Sequence, residues 1–480
     1  MSVGSRFLGR GPDPVEIGPR VAVHLLNRIG FGARPGDVNR ILGMGLDRYV
    51  QEQLDAPPDP ELDSRLRGLI TLGYPIPQVL ALYNADQRSI GVILDELYTA
   101  KIIRAVHARN QLQEVMVDFW FNHFSVFVQE GFTRYYTAAY ERDAIRPHAL
   151  GSFRDLLAAT AAHPAMLYFL DNYLSRAAVT IGGRTVRGIN ENYGRELLEL
   201  HTVGVDAGYT QEHVVDAARC FTGWGIDNVG TGGRFVYRPA LHDTGAKSVF
   251  GLNLPAGGGR DDGDKLLDYL SLHPQTALFI SRKLAQRFVA DDPPPRVVDR
   301  AAATFLATGG DIRAVVRAIL GSAELWAEAF GAGKPKTPFE LVASALRAVD
   351  AQVTNGRAVV AYLQNMGMPL YACVPPTGYS NRGADWLNPS SHLHRMNFAL
   401  DLASGAIGGV STDVRGMLRR MGGNAEDARS VANTLSAEIF GKGVSRATLN
   451  AASRVAPGGT VSVAARVAGL CLASPEMQVR

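Results

Sequence analysis

The sequence predicts a mainly α protein: a large single helical domain over 1–480, with small peripheral β-hairpins and long irregular loops. Three observations carry that prediction. Apolar residues recur at helical spacing through most of the chain. Ser, Thr, Asp or Asn often precede the periodic segments, and Gly or Pro often follows them. Extended patterns are confined to a few short stretches. The chain has 480 residues, 46% of them hydrophobic and 20% charged, enough material for a large core.

Taken in order, residues 15–56 read as short helices separated by Gly and Pro. The 90–128 stretch has an almost unbroken apolar period through Ile93, Leu97, Ile102, Val106, Leu112, Val115 and Phe119, which predicts one long helix or two in tandem. Helical patterns recur at 134–145, 151–175, 191–203, 210–222, 263–271, 274–290, 296–307, 311–328, 337–351, 358–365 and 392–405. His163-Pro164 marks a helix boundary, and Lys336-Thr337-Pro338-Phe339-Glu340 a helix start. Residues 177–188 predict a hairpin around Gly182-Gly183. The Gly-rich 226–262 stretch carries two short extended runs, Arg234–Tyr237 and Lys247–Leu252, and reads as a functional loop. A second irregular stretch covers 368–391. The tail from about 407 reads as further helices.

Composition excludes several classes. The net charge is +3, with Lys and Arg interspersed among Asp and Glu, so no nucleic-acid footprint is present. Cys220, Cys373 and Cys471 are odd in number and far apart, which argues against a disulfide framework or a structural zinc site. No run approaches the roughly 18 apolar residues that span a bilayer, so membrane insertion is not expected. The opening MSVGSRFLGRGPDP is basic without an apolar core, which reads as a cytoplasmic or a trimmed exported protein rather than one bearing a signal peptide. Walker A, GxSxG, HExxH and strand-linked GxGxxG patterns are absent. The Gly-rich 256–263 segment leads into a helix and could cradle a phosphate, but lacks the Lys-Ser/Thr pair.

Candidate chemistry concentrates in Asn190-Glu191-Asn192-Tyr193-Gly194-Arg195-Glu196-Leu197-Leu198-Glu199-Leu200-His201. Asn190 is a good N-cap, and Glu191 then falls in the favourable first turn. At about 100° per residue, Glu191, Arg195, Glu199, Asn192 and Glu196 fill one sector. Tyr193, Leu197, Leu198, Leu200 and His201 fill the other. A solvent-facing polar sector makes an ordinary amphipathic helix; one that lines a cavity makes an acid/base or metal site. Arg195 lies one turn from both Glu191 and Glu199 and can brace both. Glu196 and Glu199 share a face, and close carboxylates push their pKa values apart, as acid/base pairs require.

Two further clusters add histidines. Asp118-Phe119-Trp120-Phe121-Asn122-His123-Phe124 sets His123 among aromatics, with Asn122 beside it to orient it or face solvent. His242-Asp243, with Lys247, sits in the irregular insertion, where adjacent side chains can converge in a turn; histidine there suits acid/base or metal chemistry. Asn122, Asp171, Asn190 and Lys247 are candidate substrate contacts, and Trp120 and Trp224 candidate platforms for a sugar ring.

These residues fall in blocks that resemble a known family. NENYGRELLELHTVG, then GYTQEHVVDAARCFTGW, then His242-Asp243 and Lys247, with WFNHF upstream, are similar to the bacterial "domain of unknown function 1800" family. LLNRIGFGARPGDV, KPKTPFE and the Trp386 to Arg395 segment fit as well. The resemblance runs from about 20 to 405, leaving 406–480 as a helical extension. It implies a helical fold and draws attention to His123, Asn190, Glu191, Arg195, Glu196, Glu199, His242 and Asp243, but implies no reaction.

The expected function is a hydrolase of a glycoside or polysaccharide. Glu196 and Glu199 form its acid/base pair, Arg195 and Glu191 orient them, and His123, His242 and Asp243 complete the pocket. Its partner would be a small-molecule or carbohydrate substrate, with no cofactor required. One alternative is a metal-dependent enzyme with a divalent ion on His, Glu and Asp ligands, although ExxE is not the ExxH pair of helical carboxylate sites. The other is a non-catalytic helical binding or scaffold protein. The first two readings expect His123, Glu196, Glu199 and the His242-Asp243 loop to line one cavity, with His123 or His242 within direct or one-water reach of Glu196 or Glu199.

Overall fold

The computed structural model describes residues 18–87, 89–181, 184–186, 188–331, 333–441, 443–455 and 461–480. The protein is mainly α, as the periodicity predicts, with 63% of the described residues helical. The strands among the described residues form four separate two-stranded antiparallel sheets. One contiguous apolar core runs from Val21 to Met477, so the helices after 405 pack into the same core as those before it.

The 90–128 pattern resolves into two helices, Ser89–His107 and Gln111–His123. Both apolar faces continue across the break, which is why periodicity alone did not place it. Two buried amides hold it open. Gln53 donates to the Arg109 carbonyl and accepts from the Leu112 amide, at 3.0 and 3.2 Å. Gln111 donates to the carbonyls of Ala105 and Ala108 and accepts from the Phe31 amide. Backbone groups orphaned at the two helix ends are thereby satisfied inside the core. Arg347 locks the same region: it donates to the carbonyls of Gly32 and Val106, both at 2.7 Å, and pairs with Asp37 at 2.9 Å.

Local signals behave as their chemistry dictates. Pro164 opens the Pro164–Phe169 helix, and the His163 ring accepts from the Ala165 amide. Thr337 and Glu340 form a reciprocal capping box on Pro338–Ala348. The predicted hairpin at 177–188 is present as Val179–Ile181 paired with Arg184–Val186; its Gly182-Gly183 turn lies outside the described residues.

The insertion contains two hairpins, Trp224–Ile226 with Phe235–Tyr237 and Lys247–Val249 with Leu252–Leu254. The second corrects the sequence reading of one extended run over Lys247–Leu252. Phe250 and Gly251 take φ of 48° and 98°, and the chain doubles back there. Among the described residues, no helix is long and apolar enough to cross a membrane.

Candidate functional site

The carboxylate segment is shorter and more unusual than the predicted 191–203 helix. Asn192–Glu196 is α-helical, and Leu197–His201 widens into a π-helical turn. Such turns are energetically poor and recur at functional sites. The helix start lies one residue later than the sequence reading: Glu191, not Asn190, is the N-cap and makes no side-chain cap bond, while the Asn190 side chain accepts from the Asn192 amide at 2.9 Å in the turn before it. Past the π turn, the Thr202 hydroxyl donates to the Leu197 carbonyl and the Gly204 amide to that of Leu198. The segment lies against the Gln211–Cys220 helix at Gly194. A Cβ there would sit 2.6 Å from the Ala218 amide nitrogen, so glycine permits the close approach.

The two faces separate as the sector analysis predicts. Tyr193, Leu197, Leu198 and His201 are buried. Glu191, Arg195 and Glu199 are 36, 36 and 24% exposed, which makes theirs an open face rather than a closed cavity. Arg195 meets Glu191 at 3.3 Å and Glu199 at 3.4 Å, and donates to Gln211 at 2.9 Å. Gln211 in turn donates to Glu191 at 2.7 Å. Tyr209 bonds to Glu199, and burial together with that carboxylate pushes its phenol up. Burial, then the neighbouring Glu199, raises the Glu196 carboxyl above the usual range, against the pull of Arg195. Glu196 is thus the carboxyl inclined to hold a proton, and Glu199 the one supplied with donors.

His123 lies in a different setting. It is buried at the end of its helix among Trp120, Phe124 and Phe279. Its Nδ1 accepts from the Lys283 amine at 2.9 Å, and its Nε2 donates to the His201 carbonyl at 3.2 Å. Burial, Lys283 and His201 hold its pKa well below the ordinary value, so the ring is neutral, consistent with that pattern. Burial lowers the Lys283 amine to about 8. The His201 ring, lowered to about 3 by burial and Lys283, is also neutral, and its Nε2 has no partner. His123 therefore reaches the carboxylate segment through the His201 backbone rather than through Glu196 or Glu199.

His242, Asp243 and Lys247 do come together, as a loop allows, and the sequence missed the residue on which His242 and Lys247 converge. Asp262 is buried, 3.2 Å from His242 Nε2 and 2.7 Å from Lys247 Nζ. Lys247 also donates to the carbonyls of Asp243 and Gly245. His242 Nδ1 lies 2.8 Å from the Thr222 carbonyl. Asp243 pairs with Arg219 at 2.9 Å and accepts from the Gly245 amide. Burial opposes ionisation, but Arg219 and that amide keep the Asp243 carboxyl below the usual range. This network ties the His242-Asp243 loop and the Lys247–Val249 strand to the Asp261–Ser271 helix. Asp261, Asp262 and Asp264 fill the first turn of that helix, so the Gly-rich 256–263 segment offers an anion an acidic helix start.

The remaining candidates are dispersed. Trp120 is fully buried and donates to the Ala149 carbonyl, and Trp224 is 2% exposed. Both are core residues in this structure, which corrects their reading as sugar platforms: aromatics flanked by apolar helices serve the core first. Asn122 clamps the Tyr379 backbone, donating to its carbonyl and accepting from its amide. Asp171 adopts a left-handed backbone, φ 56°, and burial raises its carboxyl. Sequence reasoning also missed Lys283, Tyr209 and Gln211. Tyr209 and Gln211 sit within the quoted GYTQEH block, which was a usable signal; Lys283 is one of several charges on its helix and has none. Among the described residues, no three His, Cys, Asp or Glu side chains group as a metal site would require.

Fold and site together define a helical protein that displays a braced carboxylate pair on a short α/π segment. The chain belongs to the family described as "Protein of unknown function (DUF1800)", whose model matches residues 24–479. That match takes in the helices after 405, which the sequence resemblance had set apart as an extension. No curated protein and no solved structure matches the chain.

Proposed function

We propose that the chain is a hydrolase of glycosidic bonds in an oligosaccharide or polysaccharide. Glu196 gives a proton to the leaving oxygen, and Glu199 acts as the second carboxylate on the same face. The observation that carries the reading is the unequal pair: burial and Glu199 raise Glu196, while Arg195 and Tyr209 serve Glu199. Glu191 and Gln211 hold Arg195 in place. An open face suits an extended chain, which a closed cavity would exclude. Asn190 and Asp171 are the proposed polar contacts to substrate. His123, His242 and Asp243 act in this scheme as positioning residues: His123 braces the π turn, and the other two fasten the insertion.

No cofactor is required on this reading, and a divalent metal is the alternative. Both ring nitrogens of His123 and of His242 meet protein groups, which favours the metal-free scheme. The test is release of new reducing ends from a panel of polysaccharides after exhaustive chelation. Undiminished release supports the proposal. Release lost on chelation, with a stoichiometric ion that disappears in His123→Ala or His242→Ala, would move the assignment to the metal enzyme.

A further inference from the structure

A second concentration of polar groups lies away from the carboxylate face, and its charge is positive. Arg28, at the end of the Pro19–Ile29 helix, is fully buried, and none of its three guanidinium nitrogens has a hydrogen-bond partner among the described residues. Arg287 donates to the Arg28 carbonyl, which brings a second guanidinium alongside. Arg287 and Arg480 share a single Glu340 oxygen at 3.2 and 3.1 Å. The other Glu340 oxygen is spent on the Thr337 amide. Two further nitrogens of Arg480, Nε and Nη1, are buried without partners. Lys336 is 4% exposed; burial lowers its amine to about 7, and the amine nitrogen meets the Met477 sulfur at 3.8 Å.

Lys336 and Arg480 line a small open cleft between the first helix and residues 476–480. His24 and Asn27 line it too; His24 is lowered to about 3 by burial and Arg28, so it adds no charge. Two acids share the lining. Glu476 is engaged by the Ser445 amide and the Thr448 hydroxyl. Glu328 is the strongest charge acting in favour of Arg28, without a hydrogen bond to it. A buried cation without a hydrogen-bonded counter-charge is disfavoured, and guanidinium and ammonium groups together match the oxygens of a phosphoryl group.

We propose that this cleft binds a phosphate-type oxyanion, contacted by Lys336 and Arg480, with Arg28 adding its charge from behind. The ligand is inorganic phosphate or the phosphoryl group of a larger molecule. The test is thermal unfolding and calorimetry of the full chain with inorganic phosphate and with phenyl phosphate, against sodium chloride of equal ionic strength. Saturable stabilisation by phosphate beyond that of chloride is expected. Binding of the ester as well identifies a phosphoryl-bearing ligand, and its rejection identifies the free ion. Lys336→Met should weaken binding at least tenfold. Asn27→Asp, which sets a carboxylate in the cleft with almost no change of shape, should raise the melting temperature in phosphate-free buffer and abolish the phosphate response. It decides the matter if Lys336→Met fails to fold. No saturable response to either phosphate, or equal affinity in the parent and Asn27→Asp proteins, would overturn the proposal.

Discussion

At the scale of single residues, desolvation decides more than charge counting. Lys283 and His123 share one hydrogen bond, and both lose proton affinity because water is excluded from them. For Lys283 the sign of the stability effect follows directly. Its native pKa is about 8 and its unfolded value about 10.4. Between those values the unfolded chain binds more protons, so this residue's contribution makes stability rise with pH, and its burial penalty is fullest below about pH 8. Competitive acetylation with peptide mapping checks this. Lys283 should titrate near pH 8 while exposed lysines titrate about two units higher; a midpoint near the exposed lysines would refute the buried, carboxylate-free setting. Glu196 shows the same effect in an acid. The sequence reading set Glu196 and Glu199 on one face, and the neighbouring Glu199 does act to raise Glu196. The larger cause, burial of Glu196, was not legible, because it is set by the packing of the folded chain.

At the scale of elements, local signals were read well and distant partners were not. Thr337 with Glu340, and His163 before Pro164, act within a few residues, and the structure realises both. The break between Ser89–His107 and Gln111–His123 depends on Gln53, far away in sequence, and no periodicity reports it. The insertion illustrates the same limit. His242, Asp243 and Lys247 were visible as a cluster, but Asp262, which joins His242 to Lys247, was not singled out. Its role yields a prediction. Asp262→Asn leaves Lys247 buried without its carboxylate and should cost roughly 3–5 kcal/mol, the usual penalty for breaking a buried ion pair from one side. The loss should fall first on the insertion. Hydrogen exchange should quicken in residues 223–262 before the Pro274–Phe288 helix is affected. Uniform acceleration, or none, would show that the network does not fasten the insertion.

At the scale of the whole molecule, helical periodicity identified the class of fold because nearly every helix buries one face in a common core. Which polar groups meet across that core was beyond the sequence. The expected single cavity is instead three settings: an open Glu/Arg face, an interior His123–Lys283 pair, and the His242–Asp262–Lys247 knot. Only the first offers carboxylates to an incoming substrate, so the hydrolase proposal stands on Glu196 and Glu199. The measurement that tests it most directly is turnover by the parent, Glu196→Gln and Glu199→Gln proteins on whichever polysaccharide releases reducing ends, with unfolding followed in parallel. The account predicts that each variant folds like the parent and loses roughly 100-fold or more of the activity. It also predicts that parent activity falls as pH rises past the point where Glu196 loses its proton. Full activity in both variants, or no hydrolysis by the parent across the panel, would contradict it and leave the carboxylate face as a structural ion network.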